Sequence, residues 1–386
     1  MKTMKFLSLA SALLAGLFTF SCTYPYDPEI STETERVLVV DGEILVGGES
    51  TLRLTYMTSL SDLSGNALHP QARGWIEDSE GNRYEPVYQG LTSTISIPTQ
   101  EAVAGRKYRA IIEADGERYV SDWVKAHKAP TIKKIHFAAG EDYVSVYADV
   151  DAGKSQTGYM GFSYEETWHF HSDYIPDYLV NPTNWTYSQL MTTWPYYWCY
   201  RTVVAPSRVL LDYSAMTGSG TKNFQVTSFL RSDSRNHDRY SILIRAYSLS
   251  RDAYLYNKQM QELSDLGGDL FSPEPGMMQG NLVCETTPER KVFGLVLAAE
   301  VTEKRAFLDS RYLREPRQDD SFMISPETDE DKYNYYYIMN YRPIKYITLE
   351  GQMVMGWGPH RCTNCLEAGG TQERPDFWDE YKDSNE

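Results

Sequence analysis

The amino-acid sequence predicts a mainly β protein with one prominent helix, and three observations predict it. Short stretches in which polar and apolar residues alternate recur along most of the 386-residue chain, as expected of half-buried strands. Glycine, asparagine and aspartate separate these stretches at turn positions. Only one segment carries apolar residues at helical spacing between a helix start signal and a helix stop signal.

Composition and charge exclude several classes of protein. The chain has 37 basic and 53 acidic residues and a net charge of −16, so we expect no nucleic-acid partner, which would require a basic face. Apolar residues make up 41%, enough for a folded core. The 30 tyrosines outnumber the 13 phenylalanines and 8 tryptophans together, which favours strand faces and half-exposed aromatic surfaces.

The N-terminus carries the features of an export signal. Two lysines precede an apolar run over residues 6–20, which is too short for a stable membrane-spanning helix. Cys22 follows a small residue at the end of this run, as in a bacterial lipobox, where the cysteine takes diacylglycerol and becomes the mature N-terminus. We therefore predict a lipoprotein signal peptide over residues 1–21, lipidation of Cys22 and a tether over residues 22–35. Ordinary secretory cleavage beside a chance cysteine is the alternative.

Residues 36–127 form the first predicted domain, which contains strands and turns alone. Glu80-Gly81-Asn82 and Asp115-Gly116 mark two hairpins, and Asp-Gly supplies the positive φ angles that a two-residue hairpin turn requires. Several short strands without a helical period favour an immunoglobulin-like sandwich. The predicted strands and hairpins cover residues 37–45, 50–57, 74–84, 92–97 and 108–124.

Residues 131–355 form a larger predicted β-rich domain that contains the helix. This helix, over residues 250–266, begins at Ser250 in the N-cap position and stops at Gly267-Gly268. A turn-rich segment over residues 356–386, with a Cys-x2-Cys pair, follows the domain. The predicted strands cover residues 143–150, 158–170, 202–212, 223–230, 241–248, 292–301 and 333–341.

Several short stretches resemble the Bacteroidota lipoproteins grouped as domain of unknown function 4249. They include residues 38–42 (Leu-Val-Val-Asp-Gly), 268–275 (Gly-Asp-Leu-Phe-Ser-Pro-Glu-Pro), 280–283 (Gly-Asn-Leu-Val), 362–365 (Cys-Thr-Asn-Cys) and 374–378 (Arg-Pro-Asp-Phe-Trp). The resemblance implies an outer-membrane lipoprotein, often encoded beside TonB-dependent receptors, with no established reaction. Asp27 and Glu29 resemble the surface-export signal of such lipoproteins, so we expect the protein to face the cell exterior.

Four cysteines remain after Cys22, and an even number in an exported protein predicts disulfides. We favour Cys362 with Cys365 as a local clamp and Cys199 with Cys284 as a long-range link. The main alternative has two long-range links that bind the C-terminal segment to Cys199 and Cys284. A zinc site that uses all four cysteines and a redox role for the Cys-x2-Cys pair are further interpretations.

Aromatic residues concentrate between Phe162 and Tyr200, where 13 occur, and residues 173–197 have the turn signals of a long loop. Exposed aromatic rings are favoured in protein interfaces, and they also stack on sugar rings. The segment therefore packs over its own sheet, docks a protein partner, or binds a glycan or peptide. The candidate binding-surface residues are Trp168, Trp185, Trp194, Tyr196, Tyr197 and Trp198.

Motifs typical of enzymes are absent from the sequence: it contains no Gly-x-Ser-x-Gly, no His-Glu-x-x-His and no glycine-rich phosphate loop. His169 and His171 lie on one face of a predicted strand, the geometry of half a metal site, but no third histidine has an obvious place beside them in the sequence. We expect a fortuitous pair and no cofactor. The sequence thus favours a non-catalytic accessory subunit of a TonB-dependent transporter or similar barrel complex over a glycan- or peptide-binding protein, and least of all a metal-dependent enzyme.

Overall fold

The computed structural model describes residues 37–57, 70–88, 90–153, 157–216, 220–265, 280–311, 313, 323–325 and 330–380. The predicted signal peptide, Cys22 and the tether lie outside the described residues, as does the predicted helix stop. Among the described residues, no helix is both long enough and apolar enough to span a bilayer.

The first sandwich encloses one of the two large apolar cores. Its strands alternate buried and exposed positions, so that Val40, Leu52 and Ile76 point inward and have no more than 1% of their surface exposed. One sheet contains β1 (Leu38–Val46), β2 (Glu49–Tyr56) and β5 (Thr94–Pro98). The other contains β3 (Ala72–Asp78), β4 (Arg83–Tyr84), β6 (Lys107–Ala114), β7 (Glu117–Ser121) and β8 (Val124–Lys125).

The second sandwich encloses the other large core. Its smaller sheet contains β9 (Thr131–Ala139), β10 (Tyr143–Asp151) and β16 (Gly220–Leu230). The facing strands are β11 (Tyr159–His171), β14 (Trp198–Val204), β15 (Val209–Asp212) and β17 (Arg239–Ser248). The mainly β fold predicted from the sequence is confirmed.

Two late strands complete the first sandwich, so this sandwich does not end at the predicted boundary of residue 127. Strand β18 (Leu282–Cys284) pairs with β7. The long strand β19 (Val292–Asp309) pairs in parallel with β1 through its first half and antiparallel with β17 through its second half. Without β19 the backbone N–H and C=O groups along one edge of β1 would have no partners. The two sandwiches therefore share one continuous eight-stranded sheet, in the order β14-β11-β17-β19-β1-β2-β5 with β15 beside β11.

The prominent helix is confirmed as α1 (Arg251–Asp265), within one residue of the prediction at each end. The Ser250 hydroxyl accepts a hydrogen bond from the Ala253 N–H at 3.1 Å, as an N-cap residue should. Ala253 is buried, and Tyr254 stacks on Tyr159 of β11 with ring centroids 4.7 Å apart. These contacts hold the helix against the shared sheet.

The predicted strand over residues 333–341 is wrong, because most of this segment forms α2 (Glu330–Ile338). Tyrosine has a high strand propensity, but Tyr333 and Tyr337 lie four residues apart and both contact the Trp185 ring, at 5.7 and 5.9 Å between centroids. A tertiary contact thus outweighs the local preference. Two hairpins flank this contact: β12 (Tyr178–Asn181) with β13 (Thr186–Gln189), and β20 (Tyr341–Leu349) with β21 (Gln352–Pro359).

Asp78 holds the turn between β3 and β4 through a fully buried carboxylate. It accepts hydrogen bonds from the backbone N–H groups of Glu80 and Asn82, both at 2.9 Å, and from Arg106 Nη1 at 3.1 Å. Burial alone would raise the pKa of Asp78, but the hydrogen bonds from Asn82, Glu80 and Arg106 outweigh it, so the pKa lies below its usual value. The folded state therefore favours the ionised form.

This pKa predicts how stability depends on pH. Because the pKa of Asp78 is depressed on folding, its contribution is present above the unfolded value of about 3.9 and is lost as the pH falls through the folded pKa. We expect Asp78→Asn to lower the free energy of unfolding by about 1.5–3 kcal/mol at pH 7. Urea unfolding between pH 7 and pH 2 should show a smaller acid-induced loss in the variant than in the wild type. Parallel pH profiles would contradict this role.

Candidate interaction surface

A disulfide joins the aromatic segment to the C-terminal segment. Cys199 of β14 is bonded to Cys365, with Cα atoms 5.7 Å apart. Both favoured pairs, Cys362 with Cys365 and Cys199 with Cys284, are therefore wrong. The side chains point into different cores: Cys284 lies in the first sandwich, Cys199 and Cys365 lie in the second, and Cys362 packs with Met323 and Ile344. This placement also excludes a zinc site built from all four cysteines.

Residues 173–197, predicted as a long loop, contain the β12–β13 hairpin and are held by backbone hydrogen bonds. Three backbone hydrogen bonds tie them to residues 344–365. The Asp177 N–H donates to the Ile344 carbonyl at 2.7 Å, and the Cys365 N–H donates to the Tyr196 carbonyl at 2.9 Å. The third runs from the Tyr174 N–H to the Cys362 carbonyl at 2.8 Å. We call residues 172–198 and 330–366 together the aromatic module.

Trp357 forms the centre of this module and has none of its surface exposed. Its Nε1–H donates to the Tyr187 hydroxyl at 3.3 Å, and its ring contacts Tyr333 at 5.7 Å between centroids. Burial raises the pKa of Tyr187, so its hydroxyl stays protonated. Trp185 stacks on Tyr333, with ring centroids 5.7 Å apart. The module therefore has a packed aromatic core of its own.

The structure separates the six candidate aromatic residues into three groups by exposure. Trp168 is wrong as a binding-surface residue, because it points into the core of the second sandwich and is only 2% exposed. Trp185 and Trp194 are half-buried, and the Trp194 Nε1–H donates to the Thr363 carbonyl. Tyr197 is half-buried as well. Tyr196 and Trp198 are 37% and 40% exposed and remain candidates for direct contact with a partner.

His169 and His171 do share one face of β11, as predicted, but aromatic rings surround them. His169 stacks between Trp198 and Tyr200, with ring centroids 4.6 and 4.7 Å away. Its Nδ1 lies 2.6 Å from Asp238 Oδ2, and this hydrogen bond is the main cause of the lowered pKa of Asp238. Nowhere in the described ranges do three or more histidine, cysteine, aspartate or glutamate side chains come together as a metal site.

The sequence did not predict two further residues of this cluster, His237 and Asp238. His237 stacks on His171 with ring centroids 4.3 Å apart. His237 and Asp238 lie immediately before β17, 66 or more residues from the histidine pair. No local pattern connects them to that pair, so only the strand pairing could have found them.

Exposed apolar side chains concentrate on the aromatic module. The described residues include 25 exposed large apolar side chains. Twelve of these 25 lie on the aromatic module, although the module contains far fewer than half of all the described residues. Such a concentration is typical of an interaction surface, since single exposed apolar residues are scattered on most proteins. The twelve are Ile175, Leu179, Met191, Tyr196, Trp198, Tyr335, Ile338, Met339, Tyr346, Leu349, Met353 and Leu366.

The two sandwiches and the sheet that they share define a mainly β protein. A sequence model of the family described as domain of unknown function (DUF4249) matches residues 23–305, well over half of the chain. The protein therefore belongs to this family. The match ends within β19, so the C-terminal stretches that resemble the family, and the C-terminal half of the aromatic module, lie beyond it.

Among solved structures, a segment of two fibronectin type III domains from chicken tenascin is similar to this chain. It is 13% identical, with 55% of this chain and 89% of that chain covered, and its TM-score is 0.16. No curated protein matches the sequence.

Proposed function

We propose that the protein is a non-catalytic outer-membrane lipoprotein, anchored by lipid at Cys22 and facing the cell exterior. In this proposal it is an accessory subunit that docks onto a TonB-dependent transporter or a similar barrel complex. The observation that carries the proposal is the concentration of exposed apolar side chains on the aromatic module. The lipobox and the resemblance to Bacteroidota lipoproteins support the location and the class of partner.

The construction of the module supports a protein partner. The disulfide joins Cys199, which directly follows the first segment, to Cys365 of the second, and the buried Trp357 donates a hydrogen bond to Tyr187 of the first. A preorganised surface loses little conformational freedom when a partner binds, so more of its apolar contact area contributes to affinity. Interface hot spots are enriched in tyrosine and tryptophan, which this module exposes at Tyr196, Trp198, Tyr335 and Tyr346.

Charge and reach support a partner in the same membrane. The proposed lipidated form lacks the two lysines of residues 1–21, so it carries 35 basic and 53 acidic residues and a net charge of −18. This charge repels anionic lipid headgroups, so the proposed acyl chains at Cys22 are the attachment. The predicted tether over residues 22–35 spans at most about 50 Å even when fully extended. An anchored body with that reach meets membrane proteins far more often than soluble ones.

A substitution at Met339 tests the docking surface. Met339 is 56% exposed and lies in the turn after α2. A charge there would be desolvated in the complex, so Met339→Asp should reduce recovery of a barrel partner about tenfold or more. The measurement is a pull-down of the tagged full-length protein from membranes solubilised in mild detergent, with the partner quantified by mass spectrometry.

Val103→Asp is the matched control, because Val103 is 49% exposed in a loop of the first sandwich. It should recover the partner as the wild type does. Recovery of the lipoprotein alone, or equal losses in both variants, would refute docking through the module. Glycan-array binding that Trp198→Ala abolishes, without any barrel partner, would replace this proposal with a ligand-binding function.

A further inference from the structure

An open cleft in the first sandwich collects positive charge in an acidic protein. It has a volume of about 380 Å³, and its lining includes Arg73, Arg83 and Arg118. This volume lies in the usual range of small-molecule sites, near the lower end. The cleft belongs to the first sandwich and contains no residue of the aromatic module, so a ligand bound there would not require the proposed docking.

Trp75 positions two of the three arginines in the cleft, Arg83 and Arg118. The guanidinium carbon of Arg83 lies 3.9 Å from the centroid of the Trp75 ring, and that of Arg118 lies 5.5 Å away. Attraction between a cation and the ring face restrains each guanidinium, while its N–H groups at the edges remain able to donate. Restrained guanidinium groups suit a planar carboxylate, which accepts two parallel hydrogen bonds.

Of the three arginines in the cleft, Arg73 has the positive charge that is most available to a ligand. Arg83 forms an ion pair with Glu85, and Arg118 forms one with Glu285. Arg73 is exposed and has no ion pair with any described residue, although Glu113 lies opposite it in the strand pairing of β3 and β6. An anion that enters the cleft therefore meets one guanidinium that has no ion pair with any described residue and two that are already ion-paired.

The acidic residues of the lining narrow the class of ligand. Glu85 and Glu113 line the cleft together with the arginines. They repel a multiply charged anion such as phosphate, but they accept hydrogen bonds from hydroxyl groups. A ligand with one carboxylate and several hydroxyls satisfies both kinds of group.

Tyr88 adds an aromatic face at the rim. The ring is 64% exposed, and it folds back so closely that a Cβ at Gly90 would lie 2.3 Å from its Cζ and hydroxyl oxygen. A glycine at position 90 is therefore required for this position of the ring. An exposed tyrosine face offers a stacking surface for the C–H groups of a sugar ring.

We propose that this cleft binds a carboxylated monosaccharide unit of the hexuronate type. The carboxylate pairs with Arg73, the hydroxyls donate to Glu85 and Glu113, and the sugar ring stacks on Tyr88.

Calorimetric titration of the full-length protein in detergent with sodium glucuronate tests this proposal. Saturable binding with a millimolar Kd is expected, with glucose and inorganic phosphate each at least about tenfold weaker. Arg73→Gln should weaken glucuronate binding about tenfold or more. Arg53→Gln should leave binding unchanged, since Arg53 is an exposed arginine of the same sandwich that pairs with Asp41 outside the cleft.

Gly90→Ala provides a second, independent variant. It should weaken binding through displacement of Tyr88 while leaving the charge of the cleft intact. Equal binding of glucose and glucuronate, tighter binding of phosphate, or wild-type affinity in the folded Arg73→Gln protein would each overturn the proposal.

Discussion

Replacement of Cys199 and Cys365 together by serine is expected to lower the free energy of unfolding by about 4–5 kcal/mol and to loosen the aromatic module. The bond closes a loop between residues 166 apart in the chain. On the chain-entropy account a crosslink across such a loop restricts the unfolded state strongly and stabilises the fold by about that amount. Both cysteines lie in the core of the second sandwich, so the bond also connects the module covalently to that core.

Urea unfolding with and without a reductant measures this effect. The reductant should shift the midpoint of the wild type towards that of the double variant, and it should leave the double variant unchanged. Limited proteolysis should show new cleavage within residues 172–198 when the bond is absent, because the local unfolding free energy falls. A wild-type midpoint that does not respond to a reductant able to open the bond would contradict the prediction.

The same experiment bears on function. If the module docks a barrel, the reduced protein and the double variant should recover less of the partner than the oxidised wild type. Both should retain glucuronate binding, since the proposed cleft lies in the first sandwich. This contrast keeps the two proposals separable.

Replacement of Glu166 by alanine is expected to lower the free energy of unfolding by about 3 kcal/mol. The Glu166 side chain is 7% exposed and accepts hydrogen bonds from Arg235 Nη2 at 3.0 Å and from the Tyr240 hydroxyl at 2.8 Å. Burial, followed by the charge of Glu166, raises the pKa of Tyr240, so this phenol remains a donor. The variant leaves both donors without their acceptor in the core. Asp233 still pairs with Arg235, which places the effect at the lower end of the range for a broken buried pair.

Glu303→Ala is the matched control for this prediction. Glu303 pairs with Arg245 at 3.3 Å, but its side chain is 60% exposed, so its removal should cost less than about 1 kcal/mol. Thermal or urea unfolding of both variants at neutral pH makes the comparison. Similar losses in the two variants would show that burial does not distinguish these ion pairs.

Most of the fold follows from local patterns. Asp115 and Gly116 have positive φ angles of 54° and 77°, as the predicted hairpin turn requires. Strand β10 covers residues 143–151, where alternation predicted a strand over residues 143–150. Helix α1 begins after the predicted N-cap residue Ser250. Each of these features depends on residues close together in the chain.

The candidate site was predicted only in part. The aromatic segment was identified, but its partner, the β20–β21 hairpin and α2, lies well over a hundred residues further along the chain. Trp168 and Trp198 belong to the same aromatic concentration, yet one is 2% exposed and the other 40%. Their difference depends on which face of the sheet each side chain occupies, and composition does not contain that information.

The sequence by itself determined the strand class, most strand positions, the helix and its cap, because alternation, turn chemistry and capping act over a few neighbouring residues. Only the tertiary structure decided that β19 joins two sandwiches into one sheet, that Cys365 bonds Cys199, and that Tyr333 lies in a helix. Those outcomes depend on contacts between residues brought together by folding. Many pairings are locally equivalent in the sequence, and packing of the whole chain selects one of them.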